Sequence, residues 1–217
     1  MQNARSWVVA GLAALVLACG GGGSGGAGDG GSEKLAFTVP GLGASGFNYT
    51  QGTYLLGFVV KPKAAITVTQ LGWYDAAQTP ADAGQVFGAH AVGLYDLTSG
   101  QLLGSTTIDG ASPVSGLFRW KTLAAPVALA KDGVYAVVGI TGTNKYTVGI
   151  LVTEATLGAD LTLLSGAGYS STGTSNAPTQ TSTLQVPNAF DAGNIFGNPT
   201  PSDVLPDFGP NFRYTAP

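Results

Sequence analysis

Residues 53–74 read TYLLGFVVKPKAAITVTQLGWY, two apolar runs parted by Lys61-Pro62-Lys63. In the first run Tyr54, Leu56, Phe58 and Val60 share one face at a period of two, and Leu55 and Val59 leave the other face apolar as well. A strand apolar on both faces belongs inside a layered β structure and not at a solvated edge. In the second run Ile66 and Val68 alternate with Thr67 and Thr69. The composition agrees: 34 glycines and 23 threonines stand against two glutamates and one methionine, and only 10% of the 217 residues are charged, against about 25% in an average soluble protein. Helix surfaces are normally filled with Glu, Lys, Gln and Ala, so a mostly helical fold is excluded.

Working outward from that stretch, the same period predicts strands over 35–39, 53–60, 65–74, 90–95, 101–108, 117–123, 127–129, 134–141 and 147–152. Asp96-Leu97-Thr98-Ser99-Gly100 and Lys131-Asp132-Gly133 supply turns between them. Segments 166–183 and 188–210 read as long loops, with late strands returning at 161–164 and 211–215. The expected fold is all-β, an antiparallel β-sandwich of jelly-roll type occupying residues 35–217.

Residues 1–18 read as a lipoprotein signal peptide. One charge, Arg5, precedes an uncharged apolar run of 12 residues from Trp7 to Ala18, whereas a bilayer-spanning helix needs about 20. The run closes on Leu15-Val16-Leu17-Ala18-Cys19, which resembles a lipobox and marks Cys19 for lipidation; the positions usually held by Leu and by Ser or Ala carry Val16 and Leu17. Acyl chains gain about 0.8 kcal/mol per buried methylene, enough for durable anchoring when one cysteine carries several. Residues 19–34 form a Gly-rich tether, with an end-to-end distance of about 20 Å for a flexible coil. With Cys19 the single cysteine, no internal disulfide can form. No acidic residue directly follows Cys19, which by resemblance to lipoprotein sorting permits the outer membrane or cell surface.

Leu71-Gly72-Trp73-Tyr74-Asp75, His90-Ala91-Val92-Gly93-Leu94-Tyr95-Asp96, Gly116-Leu117-Phe118-Arg119-Trp120 and Gly133-Val134-Tyr135-Ala136-Val137 resemble an extracellular bacterial β-sandwich family found in PEP-CTERM-sorted proteins. Phe208-Gly209-Pro210-Asn211-Phe212 is similar to the end of that domain. The resemblance implies a sandwich at the cell surface or in an exopolysaccharide matrix and supplies no catalytic residues. The chain departs from it in lacking a C-terminal hydrophobic anchor, which the lipid at Cys19 would replace.

Chemistry is sparse. Once Arg5 leaves with the signal peptide, 8 basic residues face 12 acidic ones, a net charge of −4, so nucleic acid is not an expected partner. His90 is the one histidine, no Gly-x-Ser-x-Gly elbow accompanies it, and of the two glutamates Glu33 lies in the tether and Glu154 is alone, so no enzyme is expected. No cofactor is expected beyond a structural calcium at loop carboxylates, with Asp75 and Asp82 as the candidate ligands. Aromatic side chains are the stronger lead to a ligand. Trp73 and Tyr74 must point to opposite faces, which predicts that one is exposed or covered only by a loop; Tyr146 and Tyr169 sit in polar surroundings. Two readings follow: a membrane-tethered binding or adhesion module for polysaccharide or extracellular matrix, or a structural envelope lipoprotein acting through protein contacts at a sheet edge.

Overall fold

The two apolar runs of 53–74 become consecutive strands in different sheets, so the short link after Pro62 crosses the core from one layer to the other. The computed structural model describes residues 32–39, 47–49, 53–78, 83–84, 86–142, 146–148, 156–168, 179–190 and 209–217. Its strands are β1 (Lys34–Leu35), β2 (Phe37–Thr38), β3 (Phe47–Tyr49), β4 (Leu55–Pro62), β5 (Ile66–Tyr74), β6 (His90–Asp96), β7 (Gln101–Ile108), β8 (Val114–Ser115), β9 (Phe118–Leu129), β10 (Tyr135–Ile140), β11 (Tyr146–Val148), β12 (Thr156–Leu157), β13 (Leu161–Gly168), β14 (Asn188–Phe190) and β15 (Pro210–Thr215). Among the described residues there is no α-helix, only a 3-10 turn at Ala76–Gln78.

Two sheets face each other, β1-β15-β5-β9-β8 and β14-β13-β4-β10-β6-β7, with β11-β3 and β12-β2 as small two-stranded additions. Every described pairing is antiparallel. The chain is therefore an all-β antiparallel sandwich. Spatial neighbours such as β15 and β5 are distant in sequence, the kind of interleaving jelly rolls share.

The main core lies between the sheets: Leu56, Phe58, Val60, Val92, Leu94 and Val137 from one meet Val68, Leu71, Trp73 and Phe212 from the other. A second cluster, with Leu55, Val59, Ala136, Val138 and Ile140, occupies the other face of the six-stranded sheet, and Leu184 packs on it. The segment carrying Leu184 is pinned by the Thr181 amide on the Thr53 carbonyl (2.8 Å) and by a Tyr54–Gln180 bridge. That cover explains why β4 is apolar on both faces.

Three expectations change. The strands expected at 117–123 and 127–129 are one, β9, because a register shift between Val68/Gln70 and Thr122/Val127 absorbs the stretch that contains Pro126. The strand expected at 161–164 runs to Gly168 and pairs with both β4 and β14, which shortens the loop expected at 166–183. Residues 35–39 divide between β1 and β2, which pair with β15 and β12 respectively.

Candidate functional site

Of the residues singled out from sequence, Cys19, Asp82 and Tyr169 lie outside the described residues. Tyr146 pairs with Tyr49 across β11 and β3; its side chain is likewise outside the description. Trp73 and Tyr74 do point to opposite faces, yet neither offers a ring to solvent, each being 0% exposed. This corrects the expectation that they form a ligand platform. Trp73 lies flat on His90, ring centroids 4.4 Å apart and planes 7° from parallel, and Tyr74 meets Phe118 edge-on at 5.8 Å. Asp75 does not fit a calcium site. Its Oδ1 accepts from the Ala77 amide (3.1 Å), and its Oδ2 accepts from Gln78 Nε2 (2.9 Å) and Arg119 Nε (2.8 Å), so a guanidinium already holds the position a cation would need. Among the described residues, no group of three or more His, Cys, Asp or Glu is placed to hold a metal.

His90 is structural. Its Nδ1 bonds the Ile140 carbonyl at 3.0 Å, and its buried Nε2 has no partner among the described residues. Burial holds the imidazole below its ordinary pKa, opposed by the Ile140 hydrogen bond and the Asp75 carboxylate. The unfolded chain thus binds the His90 proton at a higher pH than the folded chain does. This contribution to stability is complete above about pH 6.5 and shrinks as pH falls below it, levelling off beneath the folded-state pKa. Thermal melts from pH 7.5 to 5 are expected to show a falling midpoint that a His90→Asn variant flattens; an unchanged slope in the variant would assign the effect elsewhere.

The chemically richest surface lies on the five-stranded sheet, on the face opposite Leu71 and Trp73, where Thr122 is exposed, Gln70 and Arg213 are partly exposed, and Trp120, 3% exposed, packs with the core beneath them. Cross-strand register places Thr122, Gln70 and Arg213 in one row over β9, β5 and β15, and Trp120, Gly72 and Asn211 in the next. Against β15, Thr69 is the extra residue of a bulge on β5, and against β9 it stands opposite Leu123–Pro126; these two irregularities set that row. Gly72 is required there: a Cβ would stand 2.6 Å from Trp120 Cε3, so only glycine lets the indole lie across β5. The Arg213 guanidinium then rests over the indole, 4.4 Å from its centroid. The β8 turn closes one side, with Trp120 Nε1 donating to the Ser115 carbonyl (3.1 Å). The result is a groove of about 500 Å³ lined by Gln70, Pro113, Ser115, Trp120, Lys121, Thr122 and Arg213. Lys121 turns its ammonium away to the Thr107 carbonyl (3.1 Å), leaving Arg213 as the cation facing the groove.

Glu33 sits at the mouth. Composition assigns it to the tether, but its carboxylate accepts from Thr69 Oγ1 (2.6 Å), Gln70 Nε2 (3.1 and 3.3 Å) and Arg213 Nη1 (3.3 Å). Sequence reading missed this constellation because its members are ordinary polar residues on three strands, and only the alternation of Trp120 with Thr122 hinted at a shared face.

No family model and no curated protein matches the chain. Among solved structures it is similar to one described as "Xyl-CBM35 in complex with glucuronic acid containing disaccharide", at 13% identity and a TM-score of 0.28, over 64% of this chain and 88% of that one. A likeness at that level carries no argument about the groove.

Proposed function

We propose that this chain is a non-catalytic binding module for polysaccharide or extracellular matrix, held to the bacterial envelope by a lipid on Cys19 and the glycine-rich tether. The observation that carries the reading is the groove. Its row of hydrogen-bonding side chains, Thr122, Gln70 and Arg213, beside a tryptophan–guanidinium stack suits a ligand rich in hydroxyl groups.

The described aspartates support a non-catalytic role, because each has a structural task. Asp96 caps the Thr98 and Ser99 amides, Asp109 holds Ala111 and Ser112, Asp132 pairs with Lys61, and Asp160 takes Lys34 and the Tyr214 hydroxyl. None lines the groove.

The test is a glycan-array and pull-down comparison of the full-length chain with Thr122→Tyr, which fills the groove from an exposed strand position, and Gln70→Ala. The expected result is a loss of binding of tenfold or more in Thr122→Tyr, a smaller loss in Gln70→Ala, and unchanged thermal midpoints. A folded wild-type chain that binds no glycan would overturn the reading and direct attention to protein partners.

A further inference from the structure

Resting on the groove reading above, we infer that the ligand carries a carboxylate, and that Glu33 is a built-in competitor for its place. The groove's strongest donors are now satisfied by a carboxylate from the chain itself. Thr69 Oγ1 and Gln70 Nε2 both reach Glu33 Oε1, and Arg213 Nη1 and Gln70 Nε2 reach Oε2. The geometry therefore already accommodates the planar, two-oxygen group a uronic acid presents.

Arg213 is only partly used. One terminal nitrogen meets Glu33, while its Nε is buried with no partner among the described residues. Trp120 lies beneath it, 4.4 Å from ring centroid to Cζ, and restricts where the fork can point. No acidic residue is among the groove's lining residues, so a neutral sugar would leave this cation uncompensated once Glu33 moved aside.

Displacement is feasible on energetic grounds. The Arg213 and Glu33 side chains are 21% and 33% exposed and 3.3 Å apart, so water reaches the pair and discounts its contribution. A uronate entering along Thr122 and Gln70 would meet the same donors, and Glu33 would yield to it. The backbone at Glu33 and Lys34, the start of β1, is thereby coupled to occupancy of the groove.

The test is calorimetric titration of the full-length chain in detergent with a galacturonic acid hexamer, the matching neutral galactose hexamer and a sulfated galactan. The acidic hexamer is expected to bind at least tenfold more tightly than the neutral one, and more weakly as salt rises. Glu33→Gln is expected to raise that affinity about two- to fivefold, the scale of an exposed ion pair. Arg213→Lys keeps the charge without the fork and is expected to weaken it, with thermal melts confirming that both variants fold. Equal affinity for the acidic and neutral hexamers, or no change in Glu33→Gln, would overturn this inference while leaving polysaccharide binding in place. Equal affinity for the sulfated galactan would overturn the carboxylate assignment. A folded wild-type chain that binds none of the three would overturn both the inference and the reading beneath it.

Discussion

Trp73→Ala is expected to destabilise the domain by about 3–5 kcal/mol, among the larger effects a single core substitution produces. The ring is 0% exposed and fills the space between the sheets where two glycines make room for it. A Cβ on Gly209 would stand 2.9 Å from the indole, and one on Gly139 would collide with it outright. Removing the ring leaves a cavity with His90 on one side, and those glycines have no side chains with which to close it. One effect opposes this. Trp73 Nε1 is buried without a partner among the described residues, and relief of an unsatisfied donor returns about 1–3 kcal/mol, so the net loss belongs in the lower half of the range. Trp73→Phe restores most of the contact without the donor and is expected to cost less than half as much. Urea titration with an unchanged m-value would establish these figures; a loss under about 1 kcal/mol in Trp73→Ala would mean the site collapses freely. Glycan binding by the fraction that remains folded is expected to persist, because this ring is remote from the groove's face.

The all-β class was legible in the alternation over 53–74, since period two with apolar residues on both faces admits few architectures. The strand boundaries at 90–95 and 101–108 were legible for the same reason, helped by the turn between them. Alternation also said correctly that Trp73 and Tyr74 diverge. It could not say that both faces would be covered, because burial on the second face comes from segments far away in the chain. The groove was the least legible feature. Gln70, Thr122 and Arg213 share a row only because a bulge at Thr69 sets the register with β15 and the irregular stretch 123–126 sets it with β9, and such irregularities leave no periodic trace in a single sequence. Asp75 illustrates a middle case. Its local turn with Ala77 and Gln78 follows from an aspartate at a strand end, whereas its partner Arg119 comes from β9 and redirects the residue from metal ligand to ion pair.

That ion pair carries the second large effect. Arg119→Ala is expected to cost about 3–5 kcal/mol, because it strands a carboxylate that is 1% exposed. The arginine side chain is itself 18% exposed, which lets water reach one end of the defect and favours the lower figure. More than charge is lost. Arg119 Nη1 also donates to the Gly110 and Ser112 carbonyls, at 2.7 and 3.1 Å, and the guanidinium lies 5.0 Å from the Phe87 ring centroid. One side chain thus fastens three stretches, around residues 75–78, 87 and 110–112, to the start of β9. Asp75→Asn removes the charge but keeps the shape, and leaves Arg119 its two carbonyls, so it is expected to cost about 1–2 kcal/mol. A double-mutant cycle of Arg119→Ala with Asp75→Asn is expected to show a coupling of at least about 1 kcal/mol; strictly additive losses would refute the pair as a unit. The defect is also expected to travel. The segment Arg119 secures leads into Pro113 and Ser115, which receive the Trp120 amide (2.9 Å) and indole N–H (3.1 Å) and form one wall of the groove. Faster amide exchange over 109–116 in Arg119→Ala, together with weaker ligand binding below the melting range, would show that the buried pair shapes the groove from the opposite face of the same strand. Unchanged exchange there would confine its role to stability.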